Sequence, residues 1–182
     1  MFRLVQIQLV ENLEKQRLLK FKGGLSAVAI KNLKTNEYSE LEGEAYFELF
    51  DRNILVYIDQ DADIEYAELC ISYLNSLSEE LIKKLCKASI KYCNEFLDDI
   101  GEDIIEYSKP TDVQSCIIPN SICIPRPENK SEPVIDLELN CTWEEEHGME
   151  WIIRNEKVMY VGPYYGINPY GDCNIGEDWN YA

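Results

Sequence analysis

The sequence predicts an α+β fold: an N-terminal antiparallel β meander, a central helical hairpin and a C-terminal antiparallel sheet. Three observations predict it. Short apolar runs broken by turn residues fill about 1–59, apolar residues recur at helical spacing over about 60–108, and a period of two governs 134–161. At 182 residues one domain is expected, with a core large enough to fold unaided. Its three parts are then a β portion over about 1–59, a helical portion over about 60–108, and a sheet with a tail over about 109–182.

The elements follow in order. Residues 2–10 set Phe2, Leu4, Val5, Ile7, Leu9 and Val10 around Gln6 and Gln8, a strand pattern. Gly23-Gly24 marks a turn before an apolar strand at 25–30. Residues 31–42 are polar and read as loop. Over 44–50, Ala45, Phe47 and Leu49 share a face, and Asp51-Arg52-Asn53 turns the chain into the branched, buried run 54–58. Asp61 or Asp63 then caps a helix over about 64–75, with Ile64, Ala67, Ile71 and Leu74 aligned. Ser76-Leu77-Ser78-Glu79 has capping-box spacing for a second helix, on which Leu81, Leu85, Ala88, Tyr92 and Phe96 form a stripe widened by Ile82, Cys86, Cys93 and Leu97. Asp98-Asp99 and Gly101 end it. Residues 109–133 are proline-rich and linker-like, with short edge strands expected at 116–118 and 122–124.

The chain is organised around 134–161. Ile135, Leu137, Leu139, Cys141 and Trp143 alternate with Asp136, Glu138, Asn140 and Thr142, so one face meets a core and the other is expected to meet water. Glu144-Glu145-Glu146-His147-Gly148 follows, holding the only histidine; Gly148 is expected to supply a backbone angle that a side chain forbids. Met149, Trp151 and Ile153 resume the alternation. Asn155-Glu156 can turn the chain, and 157–161 returns as the hairpin partner. After Gly162-Pro163 comes a tail bearing Tyr164, Tyr165, Tyr170, Trp179 and Tyr181. It is expected either to fold back over a sheet face or to present rigid aromatic contact area to a partner.

Composition restricts function. Thirty-four acidic residues against 17 basic ones give a net charge of −17, which repels nucleic-acid backbones and anionic membranes and attracts basic protein surfaces. The seven cysteines include no C-x-x-C pair, which fits buried free thiols in a reducing cytoplasm; a Cys116–Cys123 disulfide is the alternative for that pair. The N-terminus lacks the pattern of a signal peptide, and no apolar run reaches the roughly 20 residues of a membrane helix. Asp59, Asp61 and Asp63 open like a calcium loop, but Ile64 and Cys70 occupy the positions that need glycine and glutamate, so they read as a strand exit and a helix cap. There is no G-x-S-x-G and no phosphate-cradling glycine loop.

Trp143-x-x-Glu146-His147-Gly148, an apolar strand, a short turn and Val161-Gly162 together resemble a bacterial family of uncharacterised domains. The helical stretch from Tyr73 to Ile82 and on through Lys91-Tyr92-Cys93 extends the resemblance, which covers roughly 60–165. Some members stand beside polymorphic toxin systems as presumed immunity proteins, so the resemblance implies a partner rather than a chemistry. The expected binding residues are Trp143, Glu146, His147, Tyr164, Tyr165 and Tyr170, with Gly148 and Gly162 as structural turns. The expected function is a non-enzymatic, cytoplasmic protein-binding domain that neutralises a basic toxin, with no cofactor, no catalytic set, no nucleic acid and no membrane. The alternative is a divalent-metal-binding or metal-dependent hydrolytic domain centred on Glu146 and His147, a carboxylate beside an imidazole being able to hold a cation or share a proton. One turn offers few ligands for that alternative.

Overall fold

A computed structural model describes residues 30–182 apart from 38, 39, 174 and 178. The strands expected at 2–10 and, except for Ile30, at 25–30 lie outside the described residues, as does the Gly23-Gly24 turn. The rest is α+β. Seven strands, β1 (Lys31–Thr35), β2 (Leu41–Phe47), β3 (Arg52–Ile58), β4 (Ile117–Ile124), β5 (Val134–Cys141), β6 (Met149–Arg154) and β7 (Lys157–Pro163), form one sheet in sequence order. Helices α1 (Ile64–Leu74) and α2 (Glu79–Asp99) fall between β3 and β4. All neighbouring strands pair antiparallel except β3 and β4, which run parallel from Leu55↔Ser121 to Ile58↔Ile124. Parallel neighbours need a long crossover, and the two helices are that crossover. The N-terminal meander and the C-terminal sheet are therefore halves of one sheet.

Local chemistry sets the helix ends. Asp63 is the cap of α1, its carboxylate accepting the Tyr66 N–H at 2.8 Å. Ser78 caps α2 by accepting the Leu81 N–H at 3.2 Å, so the cap stands two residues beyond the expected Ser76, whose hydroxyl instead donates to Tyr73 O. At the far end Gly101 adopts φ +77°. Its N–H and that of Glu102 bond to the carbonyls of Asp98 and Leu97, closing α2 in a Schellman motif.

Two expectations are corrected among the strands. The polar stretch 31–42 is not a loop; it holds β1, an edge strand among the described residues. Its lysines face solvent, and Lys34 pairs with Glu42 at 2.7 Å. An edge strand can be this polar because little of it meets the core, and exposed lysines discourage further pairing. The proline-bearing segment at 117–124 is not two edge strands but the central strand β4. Pro119 is tolerated there because β3 pairs only from Ser121 onward and the β5 ladder is irregular between Pro119 and Ser121, so no ladder bond needs its missing N–H. Ahead of β4, residues Pro110–Cys116 coil into a 3-10 helix, with Asp112 accepting the Lys109 N–H at 3.0 Å.

One sheet face carries the helices. Ile54, Val56, Ile122, Leu137, Leu139, Trp151 and Val161 meet Tyr66, Cys70, Ile71, Leu74, Leu85 and Cys93 in a continuous core. Buried Ser89 is itself satisfied there: its hydroxyl donates to Leu85 O and accepts the Trp151 indole N–H at 3.1 Å. The opposite face of β5 and β6 does not meet water as expected. The tail folds back over it, and Ile152, Met159, Tyr160 and Cys173 form a second cluster with Ile167 and Trp179. Arg154 pins this cover by donating to Pro169 O at 2.9 Å and Gly171 O at 3.1 Å.

The β6–β7 hairpin turns on Asn155 and Glu156, at φ +52° and +57°, with Arg154 opposite Lys157. Two successive positive angles define a type I′ turn, whose second position favours glycine. Glu156→Gly should therefore raise stability by ~0.5–1 kcal/mol. The Glu156 N–H that bonds to Tyr73 Oη is backbone and would be retained. Thermal denaturation reads the change as a rise of a few degrees in Tm.

Candidate functional site

The turn between β5 and β6 is built on Glu144, which the sequence offers only as one of three consecutive acids. Glu144 is buried, and its side chain accepts the Glu146 N–H at 2.9 Å and the His147 N–H at 2.9 and 3.1 Å. Two N–H groups that a sharp turn leaves unpaired by backbone are thus satisfied by one side chain. The His147 Nδ1 lies 3.3 Å from Glu144 Oε2, while the imidazole stays largely exposed. Gly148 closes the turn at φ +68°, where a Cβ would stand 2.5 Å from Leu139 O. Its carbonyl accepts from the Tyr92 hydroxyl at 3.2 Å, tying the turn to α2.

The expected binding residues separate in space. Trp143 is buried in the core, edge-on to Tyr92 with ring centroids 6.0 Å apart, so it supports the turn from behind. Glu146 is exposed and contributes its backbone N–H. Tyr170 bonds to the hydroxyl of Tyr66 on α1 at 2.9 Å. Tyr164 is half-buried on the face opposite the helices, where burial first, then nearby Cys123, push its hydroxyl up to about 12. Gly162 is not a turn residue. It lies inside β7 opposite Glu150, and a Cβ there would meet Trp179 O at 2.5 Å, so its smallness lets the returning tail pass close by.

His147 and Tyr165 do come together, at a cavity of about 300 Å³. Helix α2 supplies Tyr92, Glu95, Phe96 and Asp99; the turn supplies Glu144 and His147; the chain beyond β7 supplies Pro163, Tyr165, Trp179 and Tyr181. The aromatic rings brace one another. Trp179 meets Tyr165 edge-on at 5.5 Å and Tyr160 at 5.8 Å, and Tyr181 meets Tyr92 at 5.5 Å. Tyr181 N–H donates to Val161 O at 2.9 Å, so the tail wraps the β7 edge to reach α2. Burial raises the Tyr181 hydroxyl above its ordinary value, helped by its hydrogen bond to Glu95. In sequence Asp99 reads only as part of the helix end and Glu95 as an ordinary exposed acid beside the core stripe. The available signal was the pair of i, i+4 steps Tyr92/Phe96 and Glu95/Asp99 on adjoining flanks of one helix.

Behind the tail lies a second acidic feature. Asp136 and Glu150 are buried on the covered face, and Glu138 beside them accepts from Ser121 Oγ at 2.7 Å. Glu150 accepts the Ile167 N–H at 3.1 Å and the Tyr165 N–H at 3.3 Å. Burial, then the charge of Glu150, push Asp136 up to about 8, so the pair keeps one proton near neutrality, lodged on Asp136. Burial also raises Glu150, against the pull of those backbone donors.

Neither the cysteines nor the acids at 59–63 line the cavity. All seven cysteines are free, Cys116 and Cys123 included, and burial holds Cys123 and Cys141 up at about 12. Asp63 is the cap of α1 and pairs with Lys130, and Asp61 lies 3.6 Å from Arg126. Among the described residues, no group of three or more His, Cys, Asp or Glu side chains is placed to hold a metal ion, and no helix is long and apolar enough to cross a membrane.

Among protein families, one described as a domain of unknown function (DUF6985) matches residues 29–168. No curated protein and no solved structure matches the chain.

Two outcomes test this geometry. Gly148→Ala should cost at least ~2 kcal/mol, because it combines a left-handed backbone angle with a clash against backbone; denaturant unfolding measures it. The Asp136–Glu150 pair binds a proton in the folded chain that the unfolded chain releases near the ordinary carboxylate range. Its contribution is complete below that range and is lost as pH rises toward and through about 8. Asp136→Asn, which stays neutral, should therefore show a shallower fall in Tm between about pH 5 and 8 than the parent chain.

Proposed function

As the chain belongs to that family of domains of unknown function, we propose that it is a non-enzymatic protein-binding domain that grips a basic partner, in its most specific form an immunity protein that neutralises a basic toxin. The observation that carries this reading is the cavity at the end of α2, where five aromatic rings stand with three carboxylates. Aromatic side chains with polar tips give contact area at low entropic cost, and carboxylates at their edge select for positive charge. The surplus of 17 negative charges supports the same reading, because it draws a basic surface toward the chain over distances longer than contact. Seven free thiols accord with a reducing cytoplasm as the setting. Glu146 is exposed on the same turn as His147 but does not line the cavity, so the surroundings of His147 there are mainly aromatic rings and carboxylates, which favours recognition.

The test is association with the basic product of an adjoining gene, followed by surface plasmon resonance. The association rate should fall by an order of magnitude or more as ionic strength rises from about 10 mM to about 100 mM, since the screening length shrinks from about 30 Å to about 10 Å. Binding indifferent to salt, or no binding to any cationic protein at low salt, would rule the reading out.

A further inference from the structure

We propose that the cavity between α2, the Glu144–Gly148 turn and the tail is the seat of a single arginine side chain of the basic partner. This inference rests on the reading above and names what the site holds. Four features converge on a guanidinium. The cavity, at about 300 Å³, sits at the small end of ligand pockets, which suits one side chain rather than an extended segment. Its walls are the rings of Tyr92, Tyr165, Trp179 and Tyr181, and a planar delocalised cation gains by lying on such faces. Glu95 and Asp99 stand one helical turn apart at its mouth, both exposed, with no lysine or arginine in ion-pair distance among the described residues. A planar fork of N–H donors can bond one carboxylate in pairs while reaching another.

The fourth feature is the cost of this arrangement to the helix. Two acids at i, i+4 repel, and acids in the last turn of a helix oppose its dipole. Helix α2 ends on Asp98 and Asp99 with no basic residue in its last turn. Its own carbonyl end therefore adds to the negative potential at the cavity. Charge placed against local stability, beside the partly exposed rings of Tyr165, Trp179 and Tyr181, is what a cation from outside would relieve. The tail makes the seat: Tyr165 is held by its N–H on Glu150, and Trp179 by its contact with Tyr160.

The experiment titrates the full chain with acetyl-Gly-Arg-Gly-amide and with the same peptide carrying citrulline, which keeps the shape and removes the charge. Trp179 is the one partly exposed tryptophan, Trp143 and Trp151 being buried, so its fluorescence reports on the cavity. The arginine peptide should bind in the millimolar range and the citrulline peptide at least about fivefold more weakly. Tyr165→Ala, at an exposed position, and the pair Glu95→Gln with Asp99→Asn should each weaken the arginine peptide by about fivefold or more. The pair Glu65→Gln with Glu79→Gln removes the same charge in the first turns of α1 and α2. Glu79 lies ~30 Å along α2 from Asp99, and this control pair should leave peptide binding unchanged. Equal binding of the two peptides, or equal loss in both charge pairs, overturns the inference. If a basic partner binds with the expected salt dependence yet is neither displaced by the arginine peptide nor weakened by Tyr165→Ala, the arginine seat falls and the basic-partner reading stands. If the arginine peptide binds as expected and no cationic protein does, the seat stands and the partner reading falls.

Discussion

The cover of the sheet's second face begins with the grip of one carboxylate on the returning chain. Glu150 projects from the start of β6 onto the face away from the helices and takes the N–H groups of Tyr165 and Ile167. That grip starts the segment after β7 on its path, which Arg154 then holds at Pro169 and Gly171 and the Tyr181 N–H holds at Val161. So directed, the tail covers Ile152 and Tyr160 and brings Tyr165, Trp179 and Tyr181 to α2. A buried carboxylate is costly, and here the cost is met in two ways: by backbone donors that stabilise the charged form, and by a neighbour, Asp136, that keeps its proton. Electrostatics on the covered face and recognition geometry at the cavity are thus one construction.

Much of the fold was legible because its signals are local. The alternation of Ile135, Leu137, Leu139 and Cys141, the cap at Asp63, the glycine end of α2 and the Asn155-Glu156 turn each follow from residues within one turn of one another. What was hidden depends on residues far apart in sequence. The parallel seam between β3 and β4 leaves no mark on either strand. Lys31 and Lys34 read as loop because an edge strand needs few apolar residues. Asp136 and Glu138 read as solvated because nothing in their own strand announces that a segment thirty residues later will cover them.

The site was legible in part for the same reason. His147 and Gly148 drew notice as the sole histidine and a glycine after a strand, and both lie in the turn at the cavity. Glu144, which holds that turn, was indistinguishable from its neighbours Glu145 and Glu146, since only the folded path decides which of three consecutive acids points inward. Tyr92 and Phe96 satisfied the helical stripe and so passed as packing. Trp179 and Tyr181 lie beyond the segment matched by the family, which ends at residue 168. The described sheet, helices and turn lie within the matched segment, and two rings of the cavity come from beyond it.

The parallel seam has a consequence for how the molecule can be divided. Two antiparallel ribbons, one ending on β3 and the other opening on β4, meet only because more than fifty residues of intervening chain bring them side by side. Cleavage within that connection would leave each fragment with a bare inner strand whose ideal mate is the other fragment. Neither ribbon is a shorter version of the protein, and a cut there would produce complementary pieces that reassemble or precipitate, rather than two working halves.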